Sequence, residues 1–241
     1  MEFRNTMKKR ALITGASRGI GVAIALRLAK EGFDVLLTAR DLEGLKSTQE
    51  ACQNFGVEVQ IFSADLTSEQ EVLALFKEVA TLDLLVNNAG MGLFGAITNF
   101  SLEDWQRVQQ LNVEGAFLCM REAMQKMKAQ GGGRIINIAS VVGVKGYPNQ
   151  AAYGASKHAL LGLTKTAIEE GREANIRVHA ICPGGVATEM LRQSRPDLDD
   201  FSKMIQPEDV AEAVAYLVRL PLQITVDVLH LRRAASPQTW G

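Results

Sequence analysis

A tyrosine and a lysine stand four positions apart in the stretch Tyr153-Gly154-Ala155-Ser156-Lys157. On a helix, this spacing places both side chains on one face. A free phenol titrates near pH ~10, but a cation within ~4–6 Å favours the phenolate and lowers that pKa. Because a general acid works best when its pKa lies near the working pH, the pair is a candidate proton-transfer device. The same spacing is also common in surface pairs that do no chemistry.

The composition is that of an ordinary globular protein. The chain has 241 residues, of which 47% are apolar and 22% charged, and its net charge is −1. It is long enough for one large α/β domain, and its charge predicts no nucleic-acid partner and no binding to an anionic membrane. The three cysteines are scattered, which predicts buried thiols and no metal site. Buried thiols suit a reducing compartment, so a cytoplasmic protein is expected. No apolar run approaches the ~18 residues of a membrane span, and residues 1–7 are expected to be disordered.

Apolar patterns of strand and helix alternate along the chain. The predicted strands are Ala11–Ile13, Phe33–Ala39, Val57–Phe62, Leu82–Val86, Arg134–Ile138, Ile176–Ile181 and Thr225–Leu231. The predicted helices are Val22–Glu31, Leu42–Asn54, Ser68–Val79, Leu102–Lys128, Ala151–Glu173 and Pro207–Leu220. Such alternation predicts a single α/β domain, a Rossmann-type doubly wound parallel sheet with helices on both faces. Residues 189–206 interrupt the rhythm and are predicted to form a substrate lid.

Between the first strand and the first helix lie three glycines, Gly15, Gly19 and Gly21. Gly15 permits a tight exit from the strand, and the other two remove side chains that would hold off a pyrophosphate. The helix N-terminus that follows offers free N–H groups and a positive dipole to phosphate. This order of strand, glycine turn and helix is typical of a dinucleotide-binding fold.

Two arginines indicate which dinucleotide binds. A carboxylate at the end of the second strand would accept the ribose hydroxyls of NAD, whereas this chain has Arg40 close to that end and Arg18 in the glycine turn. Two guanidiniums can hold a 2′-phosphate through bidentate bonds. Asp41 would oppose this, unless it opens the next helix as its N-cap. The cofactor prediction is NADP(H).

These pieces together resemble the short-chain dehydrogenase/reductase family, in its single-domain, NADP(H)-preferring branch. The resemblance spans roughly residues 9 to 220 and follows the family's order. The matching motifs are Thr14-Gly15-Ala16-Ser17-Arg18-Gly19-Ile20-Gly21, Asp65, Asn87-Asn88-Ala89-Gly90, Asn112, Ser140, Tyr153 with Lys157, and Pro183-Gly184. One departure stands at the end of the chain, where many relatives carry a Gly-Gly pair after the last strand and this sequence has Asp227-Val228-Leu229-His230-Leu231-Arg232-Arg233-Ala234-Ala235-Ser236-Pro237.

The resemblance implies a catalytic set of four residues. Ser140 would bind the substrate carbonyl oxygen, and Tyr153 would donate a proton to it as hydride arrives from the nicotinamide. Lys157 would lower the pKa of Tyr153 and hold the nicotinamide ribose, and Asn112 would order a water on a proton-refill route. The implied cofactor-binding residues are Gly15, Ser17, Arg18, Gly19, Ile20, Gly21, Arg40, Asp65, Leu66, Asn88, Ala89, Gly90, Tyr153, Lys157, Pro183, Gly184, Val186 and Thr188.

The predicted activity is NADPH-dependent reduction of a ketone or aldehyde to an alcohol, reversibly. Two alternatives remain: a 3-oxoacyl-carrier-protein reductase, and a non-catalytic regulator that senses NADP(H). The first would need a basic docking face, for which Lys126, Lys128 and Arg172 are weak candidates. Regulators of this kind typically lose the tyrosine or the lysine, and this chain keeps both. The partners implied are a small carbonyl or alcohol substrate and a second copy of the chain, in a homodimer or homotetramer.

Overall fold

One parallel sheet of seven strands runs through the protein. The computed structural model describes residues 8–195, 197–221 and 223–234, so the expectation for residues 1–7 lies outside the described part. The strands are Arg10–Thr14 (β1), Asp34–Ala39 (β2), Val59–Ser63 (β3), Leu84–Asn87 (β4), Gly133–Ile138 (β5), Ile176–Pro183 (β6) and Val228–Leu231 (β7). Their order across the sheet is β3-β2-β1-β4-β5-β6-β7, and every neighbouring pair is parallel.

Helices cover both faces of the sheet. They are Gly19–Lys30 (α1), Leu42–Gln53 (α2), Glu69–Glu78 (α3), Leu102–Gln109 (α4), Ala116–Gln130 (α5), Ala151–Gly171 (α6), Glu189–Ser194 (α7) and Pro207–Arg219 (α8). Helices α1, α2 and α8 pack on one face, and α3, α5 and α6 pack on the other. The fold predicted from the sequence is therefore confirmed.

Alternating side chains of the central strands pack into two hydrophobic cores, one on each face of the sheet. In β1, Ala11 and Ile13 face the α1 side, and Leu12 between them faces the α3 side. All three are fully buried, which is why the strand reads as a continuous apolar run. The chain reverses its direction of growth between β1 and β4. In such sheets, ligands bind at that switch point, beyond the carboxyl ends of the strands.

The predicted helix over Leu102–Lys128 is interrupted. Residues Gln110–Gly115 form a π-helical turn between α4 and α5. A π turn inserts one extra residue and is frequent at functional sites. Gly115 lies in this turn, where an added Cβ would stand 3.0 Å from the Leu66 carbonyl oxygen. The apolar periodicity of the sequence does not reveal a one-residue insertion of this kind.

The region predicted as irregular over 189–206 contains a short helix, α7, that the sequence analysis missed. A bridge between Val186 and Ile205 closes the segment at its base. Within the described ranges, no helix is long and apolar enough to cross a membrane. No cluster of potential metal ligands occurs among the described residues either, and all three cysteines are buried free thiols.

Candidate active site

A cleft of about 1290 Å³ runs along the carboxyl ends of the strands. Its lining contains every predicted site residue except Gly21 and Asn112, which lie behind the wall. Those that line it are Gly15, Ser17, Arg18, Gly19, Ile20, Arg40, Asp65, Leu66, Asn88, Ala89, Gly90, Ser140, Tyr153, Lys157, Pro183, Gly184, Val186 and Thr188. Residues distant in sequence are thus brought to one edge of the sheet.

The glycine turn forms a cradle that larger residues would fill. Gly15 has φ +66°, and an added Cβ would stand 2.8 Å from the Ala89 Cα. A Cβ on Gly21 would overlap the carbonyl oxygen of Gly15. Helix α1 begins within this turn, at Gly19, with no acidic residue in its first turn. The cradle therefore fits a dinucleotide pyrophosphate against free N–H groups.

Asn88 holds the glycine turn in place. Its side-chain Nδ2 donates to the carbonyl oxygens of Thr14 (2.9 Å) and Gly15 (3.1 Å). In return, the Thr14 hydroxyl accepts bonds from the backbone N–H groups of Asn88 and Ala89, each at 3.0 Å. Asn88 thus ties the end of β4 to the end of β1, a structural task in addition to lining the cleft.

Cationic side chains mark the end of the cleft next to β2. Arg18 and Arg40 are both exposed there, and Arg40 stands 4.0 Å from an Asp65 oxygen. That contact is long and 70% of the Arg40 side chain is exposed, so it holds the guanidinium only weakly. Asp41 accepts a bond from the Gly44 N–H at 3.1 Å as the N-cap of α2. Its carboxylate is therefore engaged in capping, as the sequence analysis considered.

Ser140, Tyr153 and Lys157 meet at the middle of the cleft. Ser140 follows β5, and its hydroxyl donates to the Pro183 carbonyl at 3.3 Å. Tyr153 and Lys157 lie one turn apart on α6. The Lys157 Nζ donates to the Ile138 carbonyl at 2.8 Å and lies 5.7 Å from the centre of the Tyr153 ring. The end of β5 and helix α6 together bring all three polar side chains to the same part of the cleft.

Burial dominates the electrostatics of the pair. It raises the pKa of Tyr153 to about 12, although a hydrogen bond with Ser140 opposes the rise. It lowers the pKa of Lys157 to about 8, because the ammonium is desolvated. From the sequence, Lys157 is expected to lower the pKa of Tyr153. Desolvation outweighs that effect, so the phenol is protonated at neutral pH.

Asn112 is almost completely buried in the π turn. Its Oδ1 accepts from the Met91 N–H and its Nδ2 donates to the Met91 carbonyl, both at 2.8 Å. The same Nδ2 also donates to the Ser156 hydroxyl at 3.0 Å. The side chain therefore connects the loop after β4 with α6, next to Lys157.

Comparison with known proteins identifies the family. The family model described as short chain dehydrogenase matches residues 9–199. The chain belongs to this family. Among curated short-chain dehydrogenase relatives, the 3-oxoacyl-[acyl-carrier-protein] reductase FabG of Staphylococcus aureus (strain Mu50) is 37% identical over 223 residues, covering 88% of this chain and 91% of that protein.

Two solved structures extend the comparison. The actinorhodin polyketide ketoreductase with NADPH superposes with a TM-score of 0.85 at 35% identity, covering 94% of this chain and 96% of the other. The NAD+-bound xylitol dehydrogenase gives 0.88 at 32% identity, covering 94% and 98%. The protein is accordingly a short-chain dehydrogenase oxidoreductase, and its relatives support carbonyl reduction in general.

The family motifs did not reveal Phe94 as a site residue. Its ring lies edge-on to Tyr153, with centroids 6.0 Å apart and an interplanar angle of 69°, a favourable aromatic geometry. Phe94 lines the cleft on the loop after β4, and Gly95 joins that loop to the segment before α6 through a bond to Asn149. No local sequence signal marks this contact, because the two rings are far apart in the chain.

Apolar side chains line the cleft beyond Tyr153. They are Leu93, Phe94, Val142, Val144, Tyr147, Met190, Leu191, Leu198 and Met204. Several of them come from residues 189–206, the predicted lid. These side chains form an apolar wall, and polar side chains of the same segments, such as Gln150 and Gln193, line the cleft beside it.

Proposed function

We propose that this short-chain dehydrogenase reduces a ketone or aldehyde to an alcohol with NADPH, with Tyr153 as the general acid. The observation that carries the proposal is the meeting of Ser140, Tyr153 and Lys157 in the same cleft as the glycine cradle. A screen of carbonyl compounds with NADPH, followed by the loss of NADPH absorbance, tests it. If no carbonyl compound is reduced, the proposal is wrong.

The residues of the cleft fit a nicotinamide dinucleotide. The diphosphate would be held by the N-terminus of α1 with Gly15, Gly19 and Gly21. A 2′-phosphate would be held by Arg18 and Arg40, and the nicotinamide ribose would be held by Lys157. Asp65 with Leu66 would contact the adenine, and Pro183, Gly184, Val186 and Thr188 the nicotinamide side. When bound, NADPH supplies the hydride. The relatives do not decide the cofactor, because one solved neighbour binds NAD+ and another NADPH.

The protein's own contribution is to position a proton. The Ser140 hydroxyl would orient the carbonyl oxygen toward the phenol. Because burial raises the pKa of Tyr153 to about 12, the phenol carries its proton at neutral pH and can donate it to an oxygen that gains negative charge. The Lys157 ammonium, buried beside the ring, stabilises the phenolate that remains. Asn112 would support proton refilling by holding the Met91 loop against α6.

The cofactor preference provides a first prediction. NADPH should bind much more tightly than NADH, and Arg40→Ala should reduce that preference by roughly 1–3 kcal/mol, the range for a hydrogen bond to a charged group. Dissociation constants for both cofactors, from fluorescence titration, measure it. Arg107→Ala is a matched control, because Arg107 is an exposed arginine on α4 that pairs with Asp104. Equal affinities for the two cofactors in the unmodified protein would contradict the prediction.

A second candidate function is a 3-oxoacyl-carrier-protein reductase, which the identity to FabG favours. The expected docking face is weak: Arg172 is already paired with Glu169 at 2.8 Å. Comparing kcat/KM for a 3-oxoacyl carrier protein with that for its free thioester analogue separates the two functions. A large advantage for the carrier-bound substrate would support the second candidate.

We also propose that residues 189–206 form a lid over the substrate. Within this segment the Arg192 guanidinium lies 4.7 Å from the centre of the Phe201 ring, and Arg195 binds Asp197 through two nitrogens. These contacts stay inside the segment and do not tie it to the sheet. Amide hydrogen exchange over 192–201 should be fast in the free protein and slow with NADPH and an alcohol product. Protection in the free protein equal to that of β5 would indicate a fixed wall.

Two further expectations remain proposals. A homodimer or homotetramer is supported by large apolar side chains exposed on α4 and α5, namely Leu102, Trp105 and Phe117. A cytoplasmic location is consistent with three free cysteines.

A further inference from the structure

The chain beyond β7 brings arginines into the cleft. Leu231, the last residue of β7, pairs with Pro183, and its carbonyl accepts the Gly184 N–H at 2.8 Å. The next two residues, Arg232 and Arg233, both line the cleft. They therefore enter it from the same edge of the sheet as Ser140.

The sheet order sets how far these arginines are from the reacting groups. Ser140 follows β5, and β7 is two strands away from β5. Neighbouring strands are about 4.8 Å apart, so the two strand ends are separated by about 10 Å. The glycine turn follows β1, four strands from β7, or about 19 Å by the same spacing. Arg233 is thus placed nearer to the substrate than to the diphosphate cradle.

Among the described residues, Arg233 has no ion-pair partner. Its side chain is partly buried, and no carboxylate of a described residue pairs with it. Two carboxylates of the neighbouring lid face other arginines: Asp197 binds Arg195 at 2.8 Å and Glu189 lies 3.8 Å from Arg192. A partly desolvated guanidinium favours an oxyanion partner, and its planar fork matches a carboxylate.

We propose that Arg233 binds a carboxylate of the substrate, so that the preferred substrates are oxo acids. The inference rests on the proposed reductase function and specifies its substrate class. The carbonyl lies at Ser140 and Tyr153, and the carboxylate, several carbon atoms away, meets Arg233. The carbon chain between them lies along the apolar wall.

The test uses pairs of oxo acids and their methyl esters, which differ in the charge at one end. Suitable probes are 4-oxopentanoate, 5-oxohexanoate and 6-oxoheptanoate, each with its ester. With NADPH, kcat/KM should favour the acid over its ester by about 10- to 100-fold at the best chain length, the factor expected for one charge-assisted hydrogen bond. The preference should lie in KM and should decrease with added salt.

Arg233→Gln removes the charge and keeps most of the size. In this variant the acid-to-ester ratio should fall toward one, and Arg233→Lys should keep part of it. Arg219→Gln is the matched control, because Arg219 is an exposed arginine on α8 that does not line the cleft, and it should keep the full ratio. Thermal unfolding of each variant identifies any that fails to fold, in which case Arg233→Lys provides the comparison.

The outcomes distinguish a failure of the carboxylate contact from a failure of the reductase function. If esters are reduced but acids have no advantage in the unmodified protein, Arg233 does not bind a substrate carboxylate and the proposed reductase function stands. If Arg233→Gln weakens NADPH binding and leaves the acid-to-ester ratio unchanged, the guanidinium serves the cofactor and the inference is wrong. If neither acids nor esters nor any other carbonyl compound is reduced, the proposed function fails and this inference fails with it.

Discussion

Tyr153→Phe should lower kcat for carbonyl reduction by about 10²–10⁴-fold, the contribution of a positioned general acid. The variant removes one hydroxyl and keeps the ring that packs edge-on against Phe94, so the fold and the cleft should not change. NADPH affinity should stay within about twofold, because one hydroxyl contact is worth little net free energy. Stopped-flow turnover together with cofactor titration measures both quantities.

Tyr216→Phe is the matched control for this variant. Tyr216 lies on α8 and is 47% exposed, and it does not line the cleft. The control should retain full turnover. If Tyr153→Phe also retained near-normal turnover on a proven substrate, another group would have to donate the proton and the assignment of Tyr153 would be wrong.

Lys157→Met should damage turnover and cofactor binding together. Lys157 is 4% exposed and its ammonium donates to the Ile138 carbonyl at 2.8 Å, and methionine fills similar space without charge. We expect a loss of at least about 10²-fold in kcat, because the phenolate loses its cation. NADPH binding should weaken about tenfold through loss of a charge-assisted bond to the ribose.

The pH profile of the unmodified enzyme gives an independent check on Lys157. Burial lowers its pKa to about 8, so the ammonium is fully present below that pH and is lost above it. Reduction should therefore slow as pH rises through about 8.

Lys165→Met is the matched control for Lys157→Met, because Lys165 is exposed on the same helix, and it should keep normal turnover and NADPH affinity. Normal turnover and NADPH affinity in Lys157→Met would contradict the assigned role.

The local pattern of apolar and polar residues was sufficient to predict most of the fold. The inner strands β1, β2, β4, β5 and β6 each contain a short apolar run, because the parallel sheet is buried on both faces there, whereas the edge strand β3 consists of partly buried and exposed residues. The alternation of such runs with amphipathic segments admits few other architectures. Boundaries shifted by only a few residues: α1 begins at Gly19, three residues before the predicted start, because glycines that look like turn residues also form its first turn.

Long-range contacts account for what the sequence did not predict. The π turn at Gln110–Gly115 depends on how the helix between β4 and β5 packs against Leu66 and α6. Phe94 meets Tyr153 only because the loop after β4 is bonded to the loop before α6. The pKa of Tyr153 follows from burial, which depends on every neighbour at once.

The sequence by itself determined the order of elements and the glycine turn, because both depend on residue type at a fixed spacing, and its resemblance to the family's motifs predicted Asn112, Ser140, Tyr153 and Lys157 as site residues. Only the tertiary structure decided what surrounds them. The register of β6 with β7 brings Arg233 to the cleft, and desolvation, not Lys157, sets the protonation of Tyr153. Both depend on distances between segments that are remote in the chain, and such distances leave no local mark in the sequence.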